Sequence, residues 1–87
     1  MPYKVTLSKT ASKAYLRLIP KLRGGIDRAV SHLGFSPTAG ENIEKLKGQS
    51  HSYRYQVGGW RIIYEVNEES REVRVANIRP RGDVYKR

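Results

Sequence analysis

The chain of 87 residues carries 17 lysines and arginines against 8 aspartates and glutamates, a formal net charge of +9. That length allows one compact domain with a thin core and excludes two, while the absence of cysteine removes disulfides and thiolate metal sites. So strong a positive field on so small a domain favours a polyanionic partner, nucleic acid first and an acidic protein second.

Residues Met1 to Thr10 lack the apolar centre of a signal peptide, and no apolar run approaches the length of a membrane span. With no cysteine, these features predict a soluble cytoplasmic protein.

Tyr3 to Leu7 alternates in hydrophobicity, which predicts a first strand with Tyr3, Val5 and Leu7 on one face. Ser8 or Thr10 then caps a helix on which Ala11, Ala14, Tyr15 and Leu18 recur at helical spacing. Pro20 ends that helix and suits the first turn of the next. There Leu22, Ile26, Ala29, Val30 and Leu33 form one apolar stripe. Gly24 and Gly25 weaken the start of this second helix by about 1 kcal/mol each relative to alanine. Gly34 and Pro37 stop it. The pair reads as a helical hairpin with one apolar side.

Ser36 to Gly40 reads as a loop, and Glu41 to Leu46 as a brief helical turn anchored by Ile43 and Leu46. Tyr53 to Val57 and Trp60 to Val66 are strands joined by Gly58-Gly59, which accept the positive φ of a tight hairpin turn. A two-residue turn sets the register: Val57 faces Trp60, Gln56 faces Arg61, Tyr55 faces Ile62, and Arg54 faces Ile63. Alternation then gathers Tyr53, Tyr55, Val57, Trp60, Ile62, Tyr64 and Val66 on one face, against the helices. Arg54, Gln56, Arg61, Ile63 and Glu65 take the other. Asn67 to Arg71 is a polar turn and Glu72 to Arg79 the last strand. This turn does not fix the register, so the face of Arg79 stays open. The order of one strand, two helices and three antiparallel strands predicts an α+β domain with helices on one side of a small sheet.

The chain lacks a phosphate-binding glycine loop, a zinc ligand set and the order of a hydrolytic triad. Glu68, Glu69 and Glu72 sit around a turn and do not suggest paired-carboxylate catalysis. His32 suits the end of the second helix, and His51 sits just before the hairpin as a weak candidate base. The arginine and tyrosine set remains. Arg61, held in a central strand between Trp60 and Ile62, can grip a phosphate with two parallel hydrogen bonds. Arg79, Arg81 and Tyr85 follow, with Pro80 stiffening the chain and Gly82 letting it turn. Lys9, Lys13, Arg17, Lys21, Arg23, Arg28, Lys45, Lys47 and Lys86 add cations for nucleic-acid phosphates.

The strings "YRYQVGGWRIIYEV" and "VANIRPRGDVYKR" resemble the RelE toxins of the RelE/ParE superfamily, and "IEKLKG", the first strand and the helical hairpin fit as well. The resemblance implies a single RelE-like toxin domain over residues 1–87. It implies a ribosome-dependent endoribonuclease that needs no metal or cofactor and cuts mRNA in the ribosomal A site. In that chemistry the 2′-hydroxyl attacks the adjacent phosphate, giving a 2′,3′-cyclic phosphate and a 5′-hydroxyl. Arg61 would stabilise the charge on phosphorus, Arg79 would sit near the leaving oxygen, and Tyr85 would orient the scissile nucleotide or exchange a proton. Arg54 occupies a position that is often basic in the family. Gln56 stands where some members carry a lysine proposed as general base, and glutamine cannot take a proton. The partners implied are the ribosome with its mRNA and a RelB-like antitoxin, in a toxin–antitoxin hetero-oligomer. Two alternatives stay open: a ParE-like toxin that inhibits DNA gyrase, and a member without catalysis that binds only antitoxin or RNA.

Overall fold

The computed structural model describes residues 2–48 and 51–80. Strand β1 (Lys4–Leu7) leads into helices α1 (Lys9–Arg17) and α2 (Pro20–Leu33), followed by strands β2 (Ile43–Lys45), β3 (Ser52–Val57), β4 (Trp60–Asn67) and β5 (Glu72–Pro80). The five strands form one sheet in the order β1-β5-β4-β3-β2. β1 lies parallel to β5, and the other pairs are antiparallel. The fold is the expected α+β arrangement, with the first strand added to the far side of the last.

Local chemistry explains the helix ends. Ser8 is the N-cap of α1: its Oγ accepts a hydrogen bond from the Ala11 amide at 3.0 Å. Pro20 opens α2, where the missing amide hydrogen costs nothing. Gly34 closes it.

The expected helical turn over 41–46 is instead the edge strand β2. Ile43, Glu44 and Lys45 pair with Tyr55, Arg54 and Tyr53 of β3. Three residues carry too little periodicity to announce a strand, and pairing with a formed neighbour outweighs local preference. Gly40, at φ 153°, turns the chain into this strand, and a side chain there would press on Ile43.

One hydrophobic layer joins helices and sheet. Ala11, Leu18, Ile26, Ala29 and Leu33 meet Ile62, Tyr64, Val66, Val73, Val75 and Ile78, all buried. Tyr64, wholly buried, stacks on Tyr53 with ring centroids 5.7 Å apart and donates its hydroxyl to the Pro37 carbonyl at 2.6 Å. That bond satisfies a polar tip inside the core and ties the 34–42 loop to the sheet. Burial holds the Tyr64 phenol well above its ordinary pKa.

Candidate nucleic-acid interface

The tight hairpin sets the first half of the site. Val57 pairs with Trp60, Gln56 with Arg61, Tyr55 with Ile62 and Arg54 with Ile63, the register expected from Gly58-Gly59. Gly58 takes φ 57°, a conformation that glycine adopts without strain. Arg61 is therefore on the sheet face opposite the helices, in a strand paired on both sides.

The second half depends on an irregularity. Val73 and Val75 are fully buried. Strict alternation along β5 would next point Asn77 and Arg79 into the core. The β4–β5 register shifts instead: Ile63 pairs with Asn77 but Tyr64 pairs with Val75, leaving Ala76 as an extra residue. The bulge reverses the parity of the rest of β5. Ile78 becomes the buried residue at 3% exposure, and Arg79 turns outward, directly paired with Arg61. A sequence signal for this existed in the spacing of the apolar residues, which changes from two (Val73, Val75) to three (Val75, Ile78).

The open face then consists of cross-strand rows. Gln56, Arg61 and Arg79 form one row across β3, β4 and β5. Glu44, Arg54, Ile63 and Asn77 form the next, beginning on β2. Directly paired residues have Cβ atoms about 5 Å apart and diagonal neighbours about 7–8 Å. Arg54, Arg61 and Arg79 are thus close enough for one short stretch of nucleic-acid backbone. Arg54 is part-buried and held by an ion pair with Glu44. A surface hollow of about 440 Å³ beside them is lined by Glu44, Lys45, Leu46, Lys47 and Arg54. Lys45 and Lys47 therefore flank the site from the sheet edge, although Lys45 lies opposite Tyr53 and so on the helix-facing side of β2.

The third row, Ser52, Glu65 and Arg74, belongs to different surroundings. With His51, Glu68, Glu69 and Glu72 it lines an acidic hollow of about 690 Å³. Four residues of strand, roughly 13 Å, separate this row from Arg61. The open face is thus polarised along the strands, cationic at the hairpin end and acidic at the other. An anionic backbone is attracted to one end only. His51 lies at the acidic end, which removes it as the base for a phosphate held by Arg61.

Among the described residues, the rows that hold Arg61 and Arg54 contain no histidine, lysine or tyrosine. Their one carboxylate, Glu44, is engaged with Arg54. Gln56 lies in the Arg61 row as expected, but as an amide it can only orient a partner. Arg81, Tyr85 and Lys86 lie outside the described residues.

Comparison with known proteins gives these rows a context. Residues 5–85 match the model of the family described as ParE toxin of type II toxin-antitoxin system, parDE. No match is found among curated protein sequences. The archaeal RelE–RelB complex from Pyrococcus horikoshii OT3 is 28% identical at a TM-score of 0.83, covering 94% of this chain and 98% of that one. The E. coli RelBE toxin–antitoxin complex is 24% identical at a TM-score of 0.79, covering 90% of this chain and 95% of that one. The YoeB/ParE toxin from Agrobacterium tumefaciens is 19% identical at a TM-score of 0.75, covering 88% and 96%; these last two are likenesses of fold. The chain belongs to the ParE toxin family and, with it, to the RelE/ParE superfamily of type II toxins.

Proposed function

We propose that this chain, a type II toxin by its family, is a ribosome-dependent endoribonuclease that cleaves mRNA in the A site. The observation that carries the reading is the pairing of Arg61 with Arg79 on the sheet face opposite the helices, with Gln56 and Arg54 beside them. Two guanidiniums on a rigid sheet suit a phosphate whose charge rises in the transition state. Preorganised donors of this kind often supply the largest catalytic contribution.

The reaction forms a bond from the 2′-oxygen to phosphorus and breaks the bond to the 5′-oxygen. The 2′-hydroxyl loses a proton and the departing 5′-oxygen gains one. Arginine stays protonated in proteins, so Arg61 and Arg79 stabilise charge and move no proton. Tyr85 is the candidate acid and stacking residue, by resemblance. Gln56 orients, and holding the 2′-hydroxyl in line with the phosphate provides the acceleration that a strong base otherwise would. Lys45, Lys47, Arg81 and Lys86 complete the RNA contacts. The toxin acts in the cytoplasm and is neutralised by an acidic, RelB-like cognate antitoxin in a hetero-oligomer. The structural relative from P. horikoshii is a RelE–RelB complex and that from E. coli a RelBE toxin–antitoxin complex, which supports an antitoxin partner.

The test is induced expression in a bacterium with mapping of mRNA ends, against matched Arg61→Ala and Tyr85→Phe variants. Cleavage within translated codons that both variants lose is the expected result. Growth arrest with intact mRNA refutes the nuclease reading. The match of residues 5–85 to a ParE model favours one second reading, inhibition of DNA gyrase. A supercoiling assay with purified gyrase separates the two, since inhibition there with intact mRNA selects the gyrase reading.

A further inference from the structure

The bulge that turns Arg79 outward is held from across the sheet. In a regular strand, successive carbonyls point to opposite neighbours. At the bulge, two successive carbonyls of β5 are taken from the same side by one residue. The Ser8 amide donates to the Val75 carbonyl at 2.8 Å, and the Ser8 hydroxyl donates to the Ala76 carbonyl at 2.7 Å. The Ser8 Oγ also accepts from the Ala11 amide at 3.0 Å as the cap of α1. On the far side of the bulge, the Ile78 amide finds the Asn77 side-chain oxygen at 2.8 Å. A regular β5 would not present the Ala76 carbonyl to Ser8, so the hydroxyl recognises the bulged form.

We infer that Ser8 is a positioning residue for Arg79. Its hydroxyl fixes the Ala76 bulge, and the bulge sets the face and height at which the Arg79 guanidinium stands beside Arg61. Ser8 sits where β1 passes into α1, on the far side of β5 from Arg61. The inference rests on the nuclease reading for its catalytic consequence, but the bulge lock can be measured without it.

Two substitutions separate the lock from the helix cap. Ser8→Thr keeps a hydroxyl that both accepts from Ala11 and donates to Ala76. Ser8→Asp keeps the acceptor, so α1 remains capped, but a carboxylate donates nothing and repels the Ala76 carbonyl. Purified proteins are compared by thermal unfolding, by amide hydrogen exchange read residue by residue, and by cleavage of ribosome-bound mRNA. Ser8→Thr is expected to match the parent in all three. Ser8→Asp is expected to unfold within a few degrees of the parent, yet to exchange the Asn77 and Ile78 amides about tenfold faster. Its kcat should fall about tenfold at little changed KM, because a small misplacement of a transition-state group costs rate rather than binding.

Unchanged exchange at Asn77 and Ile78 in Ser8→Asp overturns the lock. Faster exchange with undiminished cleavage overturns the positioning role. A parent protein that cleaves nothing refutes the nuclease reading and the catalytic half of this inference together, while the exchange data still decide whether Ser8 holds the bulge.

Discussion

Replacing Arg61 with alanine separates a catalytic role from a structural one. Arg61 is part-buried on the open face, outside the hydrophobic layer, and its cross-strand partner on β5 is another arginine. Like charges directly opposed on a sheet destabilise it by a few tenths to about 1 kcal/mol. Removing one of them should therefore cost the fold no more than about 1 kcal/mol, a Tm loss of at most about 4–8 °C for a domain of this size. The catalytic cost should be far larger. Losing one preorganised donor to a transition-state charge lowers kcat by about 10²–10³, or about 2.7–4 kcal/mol. Arg61→Lys keeps the charge but loses the two-pronged grip, and its loss should be intermediate, about tenfold. The assay is single-turnover cleavage of mRNA on programmed ribosomes at saturating toxin, with unfolding curves on the same preparations. An interaction made only in the transition state lowers kcat and kcat/KM equally. If Arg61 and Arg79 act on one phosphate, the Arg61→Ala/Arg79→Ala double variant loses less than the product of the single losses. An Arg61→Ala protein that keeps its kcat, or that loses stability on the scale of a core truncation, refutes the reasoning.

Two further substitutions test the surroundings of this pair. Glu44→Gln removes the carboxylate that engages Arg54; the pair is partly solvent-exposed and contributes about 0–1 kcal/mol to stability. The variant should therefore fold normally and bind a short RNA up to about fivefold more tightly, and weaker binding in a fluorescence titration would remove Arg54 from the interface. Tyr64→Phe leaves the Pro37 carbonyl without the donor that now lies at 2.6 Å, at a cost of about 1–3 kcal/mol in chemical denaturation. Burial raises the folded-state pKa of Tyr64. The stability this contributes is fully present below the unfolded phenol pKa of about 10 and is lost as pH rises beyond it toward the folded value. The gap between parent and Tyr64→Phe should accordingly narrow above about pH 10, and a gap that widens there would mean that the phenol ionises in the folded protein.

What was legible in the sequence divides along the question of what fixes parity. Gly58-Gly59 permits one tight turn, and from that turn the faces of Arg54, Gln56 and Arg61 follow by counting. The polar turn at 67–71 permits several registers, so the face of Arg79 could not be counted from it. The apolar spacing that changes between Val75 and Ile78 held the missing parity, but only when read as an inserted residue rather than as an end to alternation. β2 was illegible for a different reason: a three-residue edge strand exists only because β3 is beside it, and no local pattern encodes a neighbour. Ser8 shows both limits at once. Its capping role is local and could be read from the residues around it, whereas its bond to Ala76 spans 68 positions. The cationic row follows from combining these levels. The hairpin presents Arg61 by simple alternation, and the bulge breaks alternation to present Arg79 beside it. The break therefore lies where two arginines must share one face of a sheet whose other face is the core.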